Sequence, residues 1–141
     1  MRYAYISILI MLFCCGNNKT TIDDKDCSKY YDKEMNRNIY SVVDEVPTYP
    51  GGNQKLFRHV QENIKMNNLE EGEVKILLTF VILETGQMIK CEISGKEKKE
   101  YSALESEIIR VISSAGKWNP GKCSGVVVPV NFTFPLSFHF S

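Results

Sequence analysis

The sequence predicts an α+β fold, in which two helices pack on one face of a small antiparallel three-stranded sheet in the order helix, hairpin, helix, edge strand. Three patterns carry that prediction. In residues 73–94, Val74, Ile76, Leu78, Phe80 and Ile82 alternate with other residues, Glu84-Thr85-Gly86-Gln87 interrupts, and Ile89, Cys91 and Ile93 resume the alternation. Period two places each run on one face of a strand, and Gly86 supplies the positive φ of a tight reversal. Two other stretches carry apolar residues at helical spacing: Leu56, Phe57, Val60 and Ile64, then Leu104, Ile108, Val111, Ile112 and Ala115. Finally, Val126, Val128, Val130, Phe132, Phe134, Leu136 and Phe138 fill the even positions of a last strand.

The composition narrows the function. The 141 residues hold 17 basic and 17 acidic side chains, so the chain lacks the basic excess that nucleic acid demands. Its two histidines, His59 and His139, stand in no metal-ligand spacing. No nucleophile and base pair is visible, and Glu105 and Glu107 point apart on their helix. The expectation is a binding protein without catalytic residues or cofactor.

At the N-terminus, Arg2 precedes an apolar run over residues 4–13, too short to span a bilayer and of the length of a secretory signal. The run ends in Leu12-Phe13-Cys14-Cys15-Gly16, which resembles the lipobox of bacterial lipoproteins and implies Cys15 as the lipidated residue. Cys14, preceded by Phe13, is the poorer cleavage site, and a plain secretory signal or an uncleaved anchor is the alternative to a lipoprotein signal. Gly16 resembles the sorting signal of lipoproteins that leave the inner membrane, which implies a periplasm-facing anchor in the outer membrane. The expected organisation is a lipoprotein signal peptide over 1–14, a flexible tether over 15–40 and a folded domain over 41–141. The tether is polar and poor in β-branched residues, and about 25 flexible residues reach ~30 Å on average and about 85 Å at full extension.

Within the domain, residues 39–46 read as a short entry strand, and Pro47-Thr48-Tyr49-Pro50-Gly51-Gly52 as a turn. Asn53 is the expected N-cap of the first helix, with Asn67 and Asn68 ending it. His59 lies beside its apolar stripe as an ordinary helix histidine. After the hairpin, residues 95–100 form a charged connector, and Ser102 with Glu105 makes a capping box for the second helix. Gly116 is placed to end that helix, and Trp118 to pack over the sheet from the turn that follows. In the last strand Pro129 and Pro135 are both odd and remove N–H donors from the same side. That side is therefore an open edge, with Asn131 and Thr133 as a short hydrogen-bonding window. The same prolines serve equally as a guard against aggregation.

This order of elements resembles the TonB C-terminal domain family over about residues 42–138. The segments that carry the likeness are Val42-Val43-Asp44-Glu45-Val46-Pro47-Thr48-Tyr49-Pro50-Gly51-Gly52, the turn Trp118-Asn119-Pro120-Gly121-Lys122, the hairpin segment 80–86 and Pro129-Val130-Asn131-Phe132-Thr133-Phe134-Pro135-Leu136. The resemblance implies a periplasmic module whose last strand offers its free edge to an extended segment, the TonB box, of an outer-membrane TonB-dependent receptor. Carried onto this chain, the contacting backbone centres on Val127, Asn131 and Thr133. A full energy transducer of the family adds an uncleaved inner-membrane helix and a long proline-rich spacer. The sequence reads as a short relative without them, and the alternative is an envelope lipoprotein scaffold or homodimer that associates through the same strand.

Beyond Cys14 and Cys15 the chain has Cys27, Cys91 and Cys123. Cys91 shares the apolar alternation of Ile89 and Ile93 and is expected as a buried free thiol. Elimination leaves Cys27–Cys123 as a possible disulfide, although three cysteines permit three pairings and a fully reduced chain stays open.

Overall fold

The computed structural model describes residues 27–65 and 72–140. The signal peptide, Cys15 and the first part of the expected tether lie outside the described residues, as do the expected helix-ending Asn67 and Asn68. Seven strands and two α-helices follow in the order β1 (Lys29–Asp32), β2 (Arg37–Tyr40), α1 (Gly52–Asn63), β3 (Gly72–Ile82), β4 (Met88–Ile93), α2 (Ala103–Ser113), β5 (Lys122–Cys123), β6 (Val126–Val127) and β7 (Val130–Phe140). The class is α+β as expected. The sheet is larger than expected, and the last strand is its middle strand, not the expected edge strand: five strands in the order β1-β2-β7-β3-β4, mixed because β2 runs parallel to β7 at a single bridge, with β5 and β6 as a separate two-stranded ribbon.

The sheet centre follows from its sequence. β3 and β7 pair antiparallel over their full length, from Gly72 opposite Phe140 to Ile82 opposite Val130. This register brings the even residues of both strands to one face, where Ile76, Leu78, Phe80, Ile82, Phe134, Leu136 and Phe138 join a single core with Leu56 and Val60 of α1 and Ile108, Val111 and Ile112 of α2. Both helices therefore cover one face of the sheet. Trp118 fills the middle of this core, with its ring centroid 5.2 Å from Phe80 and 5.5 Å from Tyr49.

The β3–β4 turn takes the form its glycine predicts. Gly86 has φ +80° and donates to the Leu83 carbonyl at 2.8 Å, while the Leu83 amide bonds the Gln87 carbonyl at 2.9 Å. The Trp118 amide bonds the Gly86 carbonyl at 2.8 Å, so turn and core tryptophan are joined through backbone. β4 departs from simple alternation. Its register on β3 shifts between Thr79 and Val81, and Lys90 takes φ +51° as the extra residue of a bulge. One extra residue inverts the phase, so Met88 joins Cys91 and Ile93 on the core side while Ile89 moves to the opposite face beside Val81.

The helices keep their predicted stripes with shifted ends. α1 starts one residue before Asn53: its N-cap is Gly51 at φ +87° without a side-chain cap. It ends at Asn63, where Ile64 turns extended. α2 has the expected reciprocal capping box, with the Glu105 amide donating to Ser102 Oγ at 3.1 Å and the Ser102 amide to Glu105 Oε2 at 2.7 Å. Gly116, at φ +91°, follows two residues after the Ser114 C-cap.

Two expectations for the chain ends are corrected. Residues 27–40 are a docked β-hairpin, not tether. β1 and β2 pair from Lys29 opposite Tyr40 to Asp32 opposite Arg37, and the turn is set by Asp32 Oδ1 accepting the Met35 amide at 2.9 Å and by Asn36 at φ +51°. Ile39 is fully buried. The entry strand accordingly ends at Tyr40, after which only isolated bridges, Glu45 with Lys122 and Thr48 with Asn119, continue the pairing. The last strand is shorter than its even apolar run. Ser124 (φ +49°) and Gly125 (φ +78°) fold β6 back on β5, so Val126 is 63% exposed and the long strand begins only after Pro129.

Candidate functional site

The candidate site is the outward side of β7. Backbone groups of successive strand residues point alternately to either side, so a single engaged carbonyl fixes the phase. The Tyr40 amide donates to the Pro129 carbonyl at 2.9 Å, turning odd residues of β7 toward β2. On β3, the Leu77 carbonyl accepts the Ser94 amide at 2.8 Å, so odd residues there face β4 and even ones face β7. Odd positions of β7 thus point away from β3, as the two prolines imply.

The edge is shorter than the sequence suggests because β2 occupies its beginning through a parallel bridge of Tyr40 with Val130. The three residues expected to centre a partner strand separate accordingly. Val127 lies in the β5–β6 ribbon opposite Lys122 and belongs to no part of the edge. Asn131 is beside the hairpin, its Nδ2 donating to the Tyr30 hydroxyl at 3.2 Å. Only Thr133 stands beyond the hairpin. From there Thr133, Pro135, Ser137 and His139 are all exposed, and among the described residues no strand pairs with their side of β7. Pro135 lacks an N–H, so a partner finds donors at Thr133, Ser137 and His139 and carbonyls throughout.

The opposite margin of the sheet is guarded along β4, which among the described residues leaves residues 72–76 of β3 without a strand on that side. The outward amide of Ile93 on β4 donates to the Tyr101 hydroxyl at 3.0 Å, and the Lys90 bulge breaks the run before it. Lys90 Nζ sits 2.7 Å from Glu34 and 2.9 Å from Asp32, and these carboxylates raise its pKa well above the ordinary lysine range. The margin at β1 is only four residues long. Among the described residues β7 therefore presents the longest run of outward backbone without a strand partner, ahead of residues 72–76 of β3.

A covalent link holds the hairpin that limits this run. Cys27 and Cys123 form a disulfide across 96 residues, with Cα atoms 6.1 Å apart. Asp44 stands beside it, with Oδ1 3.9 Å from Cys27 Sγ and Oδ2 accepting the Ser124 amide at 2.6 Å. With the sulfurs bonded to each other, the group presents one carboxylate instead of three metal donors. The hairpin also reaches β4 through Lys90, the β3–β4 turn through Arg37 paired with Glu84, and β7 through Tyr30. It straps one end of the helix-free face. Cys91 is free, and burial pushes its thiol up to about 11. His59 is half-buried on α1, its Nδ1 3.4 Å from Asn63 Nδ2.

Sequence reasoning missed the strap and Tyr101. The strap's signal was the pair Tyr30-Tyr31 and Ile39-Tyr40 flanking Asp32-Lys33-Glu34-Met35-Asn36; Tyr101 has no local signature, since its role depends on which strand its hydroxyl meets. Comparison with family models, curated proteins and solved structures returns no match for this chain.

Proposed function

We propose that this protein is a periplasmic, TonB-like binding module associated with TonB-dependent transport across the outer membrane, and that it takes up an extended receptor segment by strand addition at β7. The observation that carries this reading is the outward backbone of β7 from Thr133 to His139, with which no strand among the described residues pairs. An exposed edge is a template for β-augmentation, where main-chain bonds give affinity and adjoining side chains give selectivity. The motifs around Pro47–Gly52, Trp118–Lys122 and Pro129–Leu136 that resemble the TonB C-terminal domain support the choice of partner. In this reading the module acts through binding alone, without catalysis or cofactor, and Cys15 carries the lipid that holds it at the outer membrane.

Titrating residues 16–141, which retain every described residue, with peptides from the N-termini of TonB-dependent receptors tests the proposal. Amide shifts concentrated at Thr133, Ser137 and His139 are expected. Absence of such shifts at millimolar peptide overturns it. Concentration-dependent dimerisation through β7 in its place makes the protein a self-associating envelope scaffold.

A further inference from the structure

Resting on the strand-addition reading, we propose that the edge of β7 carries a side-chain subsite, and that the residue of the partner strand facing Pro135 is a large aliphatic or aromatic one. The helix-free face of β3 reads Glu73, Lys75, Leu77, Thr79 and Val81 at its odd positions. Val81, at the strapped end, is 3% exposed, whereas Leu77 is 43% exposed. Across the ladder, Leu77 stands directly opposite Pro135, also exposed. The neighbouring pairs are polar: Thr79 with Thr133 and Lys75 with Ser137. Leu77 and Pro135 are therefore the apolar pair of the open stretch. A shallow cavity of about 420 Å3 lies over them, bounded by Lys75, Ile76, Leu77, Pro135, Leu136 and Ser137.

The backbone decides what kind of occupant reaches this cavity. A strand added to the outward side of β7 runs about 4.8 Å from it, and directly opposed residues project to the same face. The partner residue facing Pro135 thus enters the row that ends in Leu77, and a long side chain leaning across the proline ring fills the cavity. The partner residues two places to either side face the hydroxyls of Thr133 and Ser137 and suit small polar side chains. The recognised segment is thus extended, with one large apolar residue flanked at two-residue spacing by serine or threonine. A second copy of this chain fits poorly: two-fold pairing centred at Pro135 opposes proline to proline, leaves two donors missing and brings no long side chain to the cavity.

Two synthetic peptides test the subsite against residues 16–141: acetylated Ser-Thr-Val-Leu-Val-Thr-Ser and its twin with aspartate replacing the central leucine. The leucine peptide is expected to bind about tenfold more tightly, the effect of removing most of one leucine side chain from water. It should shift the Leu77 methyl signals together with the Thr133 and Ser137 amides. In Leu77→Ser, an exposed position that leaves the core intact, the two affinities should converge to within about threefold while the aspartate peptide binds as before. Equal binding of both peptides to the natural chain, with edge amides shifting, overturns the subsite and leaves strand addition standing. No shift at the edge with either peptide overturns both.

Discussion

Replacing Cys27 and Cys123 by serine should cost this fold a large part of its stability. The disulfide closes a loop with a sequence separation of 96 residues. In the chain-entropy description, freeing such a loop in the unfolded state is worth about 4.7 kcal/mol at 25 °C. Residual structure in the unfolded chain lowers the figure, so about 3 to 4 kcal/mol is the expected loss. The other ties of the hairpin do not compensate. Arg37–Glu84 and Lys90–Glu34 are exposed or partly exposed ion pairs that solvent screens, and Ile39 is the hairpin's buried anchor. The assay is urea unfolding followed by the fluorescence of Trp118, the single tryptophan, which is 3% exposed in the fold. With a slope of about 1.5 kcal/mol per molar urea, the midpoint should fall by roughly 2 M or more. A loss below about 1 kcal/mol would refute the reasoning, since it would mean that the 27–123 closure scarcely restrains the unfolded chain.

Further outcomes follow from single contacts. A Cβ on Gly86 would stand 2.1 Å from the Trp118 carbonyl oxygen, at a φ that side chains rarely take, so Gly86→Ala should destabilise by about 3 kcal/mol or more in the same urea assay. Tyr101→Phe removes the acceptor of the Ile93 amide; about 1 kcal/mol should be lost and Ile93 should exchange its amide hydrogen faster. The Arg110 guanidinium, aided by the Lys65 amide, holds Glu107 down to about 2 from an ordinary 4.5, so its contribution is present above about pH 4.5 and lost as pH falls toward 2. Glu107→Gln should therefore flatten the acid limb of the stability curve in that window. Burial keeps Cys91 protonated at pH 8, so it should react with a thiol reagent roughly a hundredfold more slowly than free cysteine.

Much of the fold was legible because its signals are local and periodic. Ser102 and Glu105 announce α2, Gly86 announces the β3–β4 turn, and the even residues of β3 and β7 declare the core face. What was not legible depends on partners distant in sequence. Residues 29–40 are too polar to bury a face of their own, and become a hairpin because Cys123, Asn131, Lys90 and Glu84 hold them in place. The bulge at Lys90 exchanged Met88 for Ile89 on the core side, a shift that alternation cannot reveal. The parity of Pro129 and Pro135 gave the correct outward side of β7. It did not show that β2 would cover Asn131 or that the Ser124–Gly125 turn would remove Val127, and so the open window lies nearer the C-terminus, at 133–139.

Hydrogen exchange resolved along β7 of the free chain tests the open edge most directly. Strand parity predicts an alternation in which the Thr133 and Ser137 amides, pointing away from β3, exchange fast, while Phe132, Phe134 and Leu136, bonded toward β3, exchange at least a hundredfold more slowly. Equal protection of Thr133 and Ser137 with their even neighbours would mean that the outward side of β7 is already covered, and strand addition there would be contradicted.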